Sequence, residues 1–451
     1  MCIPVKTERD TFALRGVINR RPMTKRTRDV SEHAPAGGLR RELGPFTATL
    51  FTAGMMVGIG IFATLGAATE AAGSGILVAM LLGGSVALAT GISAAQLGVN
   101  NPTEGGAFTW ARDFDRDTLG FIAGCGYLGK NLISMSVIAL AFATYLGQFI
   151  RGLPEHAAAA AGVLAITVLN LFGIQLTSRV LIGLLVAVVG LLGLYGGASL
   201  HAVDPGHLTP VLGDRGPLGL FAGAAIFFWT WDGFMRMAIM ASEVKEPRRT
   251  IPIAVAGGVA IAAVMFVGAG AITLGVLGAD EIGRQDTPLL AAARKAMGQW
   301  GGWVILAAAI LAALAEILGD LLSASRVVLP MAEARELPAW LAKIHPRSRS
   351  PRRAVVVLGL LSASADLVFD LRHLIEVGGS FMLVWYFITH YAALQLPKKK
   401  RLTSPIFSWY GIVGCVGLTV AMPHLAVLAA WSTLGALTAI RFVLHRSLAG
   451  R

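Results

Sequence analysis

Two carboxylates stand where few carboxylates belong. Glu316 and Asp320 sit inside Ala-Ala-Leu-Ala-Glu-Ile-Leu-Gly-Asp-Leu-Leu, four residues apart and therefore on one face of a helix. Lys130, in another apolar stretch, is the comparable anomaly of opposite sign. An ionised side chain at the centre of a bilayer costs about 2.5 to 3.5 kcal/mol or more, so all three are expected to face a protein interior. Two chemistries fit such a group. One is a buried ion pair between Lys130 and an acid, holding helices in register. The other is a carboxylate, Glu316 rather than Asp320, that gains and loses a proton during a working cycle.

The elements that must position these charges carry a second peculiarity. The run from Phe46 to Leu65 is apolar enough to cross a membrane, yet Gly58 and Gly60 interrupt it halfway. Trp231-Asp232-Gly233 interrupts another apolar run much later in the chain. Glycines in such a place serve close helix packing of the small-xxx-small kind, or they let the backbone unwind. Two matched interruptions favour unwinding, and half-helices aimed at a solute are a feature of membrane carriers.

Composition sets the class. Of 451 residues, 55% are hydrophobic and 14% charged, with mean hydropathy +0.67, which excludes an ordinary soluble domain. Twelve apolar runs read as membrane helices, near 46–69, 74–97, 119–150, 157–172, 175–198, 218–241, 251–277, 300–333, 354–369, 373–395, 406–422 and 424–445. Threading twelve helices puts roughly 29 of the 38 Lys and Arg on one side and about six on the other. Both termini are therefore expected in the cytoplasm, with the protein in the cell membrane. The net charge of +12 is split among separate loops, so it does not describe a nucleic-acid surface. Interrupted helices 1 and 6 stand five helices apart, as two five-helix repeats of opposite orientation require. The organisation expected is a basic cytoplasmic tail (1–44), a first repeat (45–200), an external loop (201–217) and a second repeat (218–396). A basic loop, helices 11 and 12 and a short tail (397–451) complete it. The tail contains two possible starts, Met1 and Met23, and no secretory signal. Residues 278–299 read as an external loop with a short helix.

Four stretches resemble the amino acid–polyamine–organocation (APC) permeases, in particular their cationic-amino-acid-transporter-like branch. Gly54-Met-Met-Val-Gly58-Ile59-Gly60-Ile61-Phe62 is similar to that family's helix 1 signature. Pro102-Thr-Glu-Gly105-Gly106 resembles its motif after helix 2. Phe228-Trp-Thr-Trp-Asp232-Gly233, with Glu243-Val-Lys245-Glu-Pro247-Arg-Arg-Thr-Ile-Pro252, resembles helix 6 and the loop behind it. Ala324-Ser325-Arg326-Val327 resembles the end of helix 8. The likeness covers roughly residues 44 to 400. It implies an all-α membrane protein of LeuT type, with twelve transmembrane helices in a 5+5 inverted repeat, moving amino acids or related small amines by alternating access.

Under that resemblance the substrate lies between the two breaks. Val57, Gly58, Ile59, Gly60 and Ile61 would offer amide N–H groups at a helix N-terminus to a carboxylate. Trp229, Thr230, Trp231 and Gly233 would offer carbonyls to an ammonium, with Trp229 as an aromatic gate or as bundle packing. The resemblance also exposes departures. Ile59 stands where a small residue is usual, and is expected to narrow the site. The helix 5 Lys of many proton-coupled members falls near Val188, so Glu316 would have to substitute for it. Arg236 is expected to snorkel or pair near the cytoplasmic side, and Asp232 to brace the unwound turn through local N–H groups, the reading favoured over its pairing with a cation.

No Ser-His-Asp order, phosphate loop or metal-ligand spacing can be assembled, and Cys2, Cys125 and Cys415 are scattered. The chain is thus expected not to be an enzyme, to need no cofactor or metal, and to draw on a proton or sodium gradient. The alternative is a carrier-like sensor that binds a small molecule without net transport.

Overall fold

Inside a bilayer the backbone has no water to bond, so a chain this apolar must close its hydrogen bonds within helices. The computed structural model describes residues 43–449 except 103, 115, 173, 347–349 and 370, all within one compact unit, Gly37–Arg451. The basic head up to residue 42 lies outside the described residues, as does Gly173, read as the break between the fourth and fifth helices. Among the described residues there is no β-strand, only an isolated parallel bridge between Leu43 and Val244.

The first apolar run is two helices, α1 (Pro45–Met56) and α2 (Gly60–Ala72), with Val57, Gly58 and Ile59 between them. Next come α3 (Ile76–Asn100), the short α4 (Ala107–Arg112), α5 (Asp117–Gly147), α6 (Glu155–Asn170) and α7 (Ile174–Ser199). The run at 218–241 is divided like the first. It comprises α8 (Gly216–Phe228), a 3-10 turn at Trp229–Trp231, an extended Asp232, and the single turn α9 (Arg236–Ile239). After α10 (Pro247–Leu277), the stretch read as an external loop holds α11 (Ala279–Gly283) and α12 (Pro288–Met297). The chain continues through α13 (Gln299–Glu333), α14 (Arg352–Asp366), α15 (Leu371–Gln395), α16 (Ile406–Ala421) and α17 (His424–Ala449).

Every apolar run read from the sequence is helical, but not every one is long. Seven stretches among the described residues are long and apolar enough to cross a membrane. The others are the two broken runs and three helices of 15 or 16 residues, α6, α14 and α16. At 1.5 Å per residue the 12 and 13 residues of α1 and α2 each rise only about 18 to 20 Å, short of a ~30 Å hydrocarbon core. Their lengths follow from the break itself.

Burial separates interior from rim. α13 and α15 are mostly enclosed by protein, whereas α17 is largely uncovered. On α17, Leu425, Leu428, Ile440 and Val443 present apolar surface outward, as a lipid-facing helix should. α13 packs on α5 and α7, α15 packs on α5, and α1 lies against α10, α7 and α13. The breaks therefore fall in the middle of the bundle, beside α5, α13 and α15.

Candidate functional site

The first break leaves polar backbone at two helix ends. Val57 closes α1 with its N–H on the Ala53 carbonyl, and the Gly58 N–H turns back to the Met56 carbonyl at 2.8 Å. α2 then begins without a side-chain cap from its own segment. Its cap comes from far away: the Ile59 N–H donates to Oε2 of Glu316 at 2.9 Å. A Cβ on Gly58 would stand 1.9 Å from that oxygen and 2.4 Å from the carboxyl carbon. Gly58 is therefore glycine because a carboxylate lies against its backbone. The opening N–H groups of a helix have no internal acceptor and carry its positive dipole end, so an anion there is stabilised.

The second break passes across the first. Gly233 has φ +116°, and a Cβ there would come within 2.5 Å of the Met55 carbonyl oxygen. Thr230 lies on Gly60, whose Cβ would meet the Thr230 Cγ2 at 2.8 Å, and the Thr64 and Thr230 hydroxyls share a hydrogen bond of 2.7 Å. The two tryptophans diverge. The Trp231 ring lies against Gly84 of α3 and donates its indole N–H to the Met80 carbonyl. Trp229 lines a groove of about 690 Å³ with Ala67, Glu70, Ala225, Met422 and His424. The side chains of Val57, Ile59 and Ile61 are all buried.

Around the breaks five ionisable side chains are buried together, none more than 4% exposed. Lys130 Nζ on α5 pairs closely with Asp232 and lies 3.7 Å from Asp320 Oδ1. Arg236 Nη2 contacts Asp232 at 2.5 Å and also pairs with Asp320, while its Nη1 donates to the Met55 carbonyl at 2.7 Å. The Tyr386 hydroxyl of α15 donates to Asp232 Oδ1 at 2.9 Å. Tyr127 of α5 donates to Ser323 of α13 beside them.

This geometry decides between the roles expected of Asp232 and Arg236, and in both cases the ion pair prevails. Asp232 does not brace its own turn, because both carboxylate oxygens are taken by Lys130, Arg236 and Tyr386. Arg236 pairs, with Asp232 and Asp320, and does so in the bundle interior without snorkelling to the interface. It is 1% exposed and caps the Met55 carbonyl at the end of α1, where the negative end of a helix dipole favours a cation. Each half of helix 1 thus meets an opposite charge at the break, Arg236 for α1 and Glu316 for α2. A Lys130–acid pair is present, and its acids are Asp232 and Asp320. Glu316 is held by backbone. Near Val188, α7 meets α1 through Leu181 and Leu185 on Gly54, with no charge involved.

One pair escaped sequence reasoning although both partners were in quoted motifs. Arg326 Nε of α13 donates to Glu243 Oε1 at 2.9 Å, and both side chains are buried. Next to it Leu43 exchanges backbone hydrogen bonds with Glu243 and Lys245, tying the start of α1 to the segment after α9. Arg326 stands among small and apolar residues and should have drawn notice, but Glu243 opens the charged run Glu243-Val-Lys245-Glu246-Pro-Arg248-Arg249, where nothing marks it as a buried partner.

Comparison with known proteins follows the same lines. The family model for amino acid permeases matches residues 43–440. An uncharacterized transporter of Mycobacterium tuberculosis is 34% identical over 402 residues, covering 88% of this chain and 90% of that one. The branched-chain amino acid permease BcaP of Bacillus subtilis is 25% identical over 425 residues, covering 90% of each chain. A chloroplastic cationic amino acid transporter of Arabidopsis thaliana is 28% identical over 366 residues, covering 75% of this chain and 62% of its own.

Proposed function

The chain belongs to the amino acid permease family of the APC superfamily, and from that premise we propose that it carries amino acids or related small amines across the cell membrane by alternating access. It is a transporter by family, not an enzyme. The observation that carries the proposal is the contact of two broken helices at the bundle centre, Gly60 on Thr230, with backbone polar groups gathered between them.

A zwitterionic amino acid fits such a place. Its carboxylate would take the N–H groups that open α2, at Val57, Gly58, Ile59, Gly60 and Ile61. Its ammonium would take carbonyl oxygens freed at Trp229, Thr230, Trp231 and Gly233. In this reading the fold is a 5+5 inverted repeat with twelve spans, helices 11 and 12 lying outside it, and both termini in the cytoplasm. The bridge of Leu43 to Val244 and the Arg326–Glu243 pair would, with that orientation, lie at the cytoplasmic ends of α1, α9 and α13. They are the contacts that an inward opening must break. A proton or sodium gradient supplies the drive.

Purified protein in liposomes, offered a panel of radiolabelled amino acids and amines, tests this. Saturable uptake of at least one compound, lost in Gly60→Val, is expected. Correctly folded protein that moves none of the panel, with or without a gradient, would overturn the proposal.

A further inference from the structure

The cradle at the start of α2 already holds a carboxyl group. Glu316 Oε2 takes the Ile59 N–H at 2.9 Å, and Gly58 is open enough to let it in. This is the seat that the reading above gives to a substrate carboxylate, and two carboxylates cannot share it. The backbone amide is also the hydrogen-bond partner that the described residues give Glu316.

The charges around it decide what a displaced Glu316 must do. The groups facing it are Asp320 on its own helix, Lys130 on α5, and Asp232 and Arg236 on the segment of the second break. Two cations thus serve three carboxylates. Lys130 and Arg236 are already engaged by Asp232 and Asp320, so neither can follow Glu316 without leaving another buried acid alone. A zwitterion brings no net charge and leaves that imbalance as it was. An ionised carboxylate pushed out of its cradle yet still enclosed would lack both a counter-charge and a donor. Taking up one proton removes its charge and balances the cluster at two against two.

We propose that Glu316 is a tethered stand-in for the substrate carboxylate, and that an incoming amino acid evicts it from the Ile59 amide and thereby obliges it to bind a proton. This rests on the transport reading above and adds the coupling step to it. The proton comes from water on the side to which the site is open, adds to a Glu316 carboxylate oxygen, and leaves when the departing substrate returns the cradle to Glu316. No bond other than O–H forms or breaks. The same device lets the empty carrier reorient with its cradle filled.

The test measures proton uptake on binding. Detergent-purified full-length protein in weakly buffered solution with a pH indicator dye receives the amino acid that the liposome panel identifies. About one proton taken up per amino acid bound is expected, with Kd rising up to tenfold per pH unit while Glu316 is ionised in the empty protein. The sign follows from competition: lower pH protonates Glu316, empties the cradle and tightens binding. Glu316→Gln should bind the same amino acid with no proton uptake and no pH dependence, and should keep counterflow exchange while losing accumulation. Parent protein that binds without taking up a proton would overturn the inference and leave the transport reading intact, and this result needs no variant to fold. A Glu316→Gln protein with unchanged proton uptake would overturn it too. So would a carboxylate-free amine that binds with the same proton uptake as the amino acid. Binding of nothing in the panel would overturn both readings.

Discussion

Replacing Gly58 by alanine should damage the protein because of one distant side chain. The added methyl would stand 1.9 Å from Glu316 Oε2, 2.4 Å from its carboxyl carbon and 2.8 Å from its Cβ. Contacts that short cannot persist, so the carboxylate must leave the Ile59 amide. That forfeits a hydrogen bond to a charged group, about 1.5 to 3 kcal/mol, and adds an overpacking cost of about 1 to 3 kcal/mol. Together these give about 2.5 to 6 kcal/mol, or a fall of about 3 to 6 °C in apparent Tm for a chain of this size. Glu316→Ala removes the oxygen and the carboxyl carbon and leaves the Cβ contact. In that background the same Gly58→Ala change should cost only about 1 to 2 kcal/mol, a coupling of about 2 kcal/mol or more. Thermal unfolding of the parent, both single variants and the double variant in one detergent, followed by tryptophan fluorescence, completes the cycle. Equal costs of Gly58→Ala in the two backgrounds would refute the reasoning, since the glycine would then serve something other than the Glu316 approach.

Other perturbations address the remaining parts of the site. Arg236→Met removes the cap on the Met55 carbonyl and leaves three carboxylates facing Lys130 alone, so a loss of about 3 to 5 kcal/mol is expected, partly recovered by adding Asp320→Asn, as thermal unfolding would record. Ile59→Ala should extend the accepted substrates toward bulkier amino acids, read from competition profiles in liposomes; an unchanged profile would mean that this side chain stays outside the pocket. Glu243→Gln weakens the buried pair with Arg326, which the transport proposal assigns to the cytoplasmic end of α13. It should increase labelling of a cysteine placed at Met55, in an otherwise cysteine-free protein, by a membrane-impermeant thiol reagent applied from the cytoplasmic side.

The helices were legible in the sequence because each apolar run is bounded by charge or glycine, and the two broken runs because glycine inside such a run has a restricted set of reasons. The anomalous charges were legible for a similar reason: an ionisable residue between alanines and leucines must have a partner. Their pairing was not. Asp232 and Arg236 sit one turn apart beside a tryptophan pair, and nothing in that spacing says that Lys130, 102 residues earlier, lies between Asp232 and Asp320. Local rules assign Asp232 to its own backbone and Arg236 to the nearest interface, and tertiary packing overrides both. The role of Gly58 was equally hidden. Its glycine is explained by a side chain 258 positions away, and no local pattern encodes that contact.

The central claim is that an amino acid sits between the two breaks with its carboxylate on the start of α2. A structure determined by electron cryo-microscopy with the transported amino acid bound tests it most directly. The account predicts the carboxylate within hydrogen-bond distance, about 3 Å, of the N–H groups of Ile59, Gly60 or Ile61, with the Glu316 side chain withdrawn from Ile59. An amino acid seated elsewhere, such as in the groove above Trp229, with Glu316 still on the Ile59 amide, would contradict it.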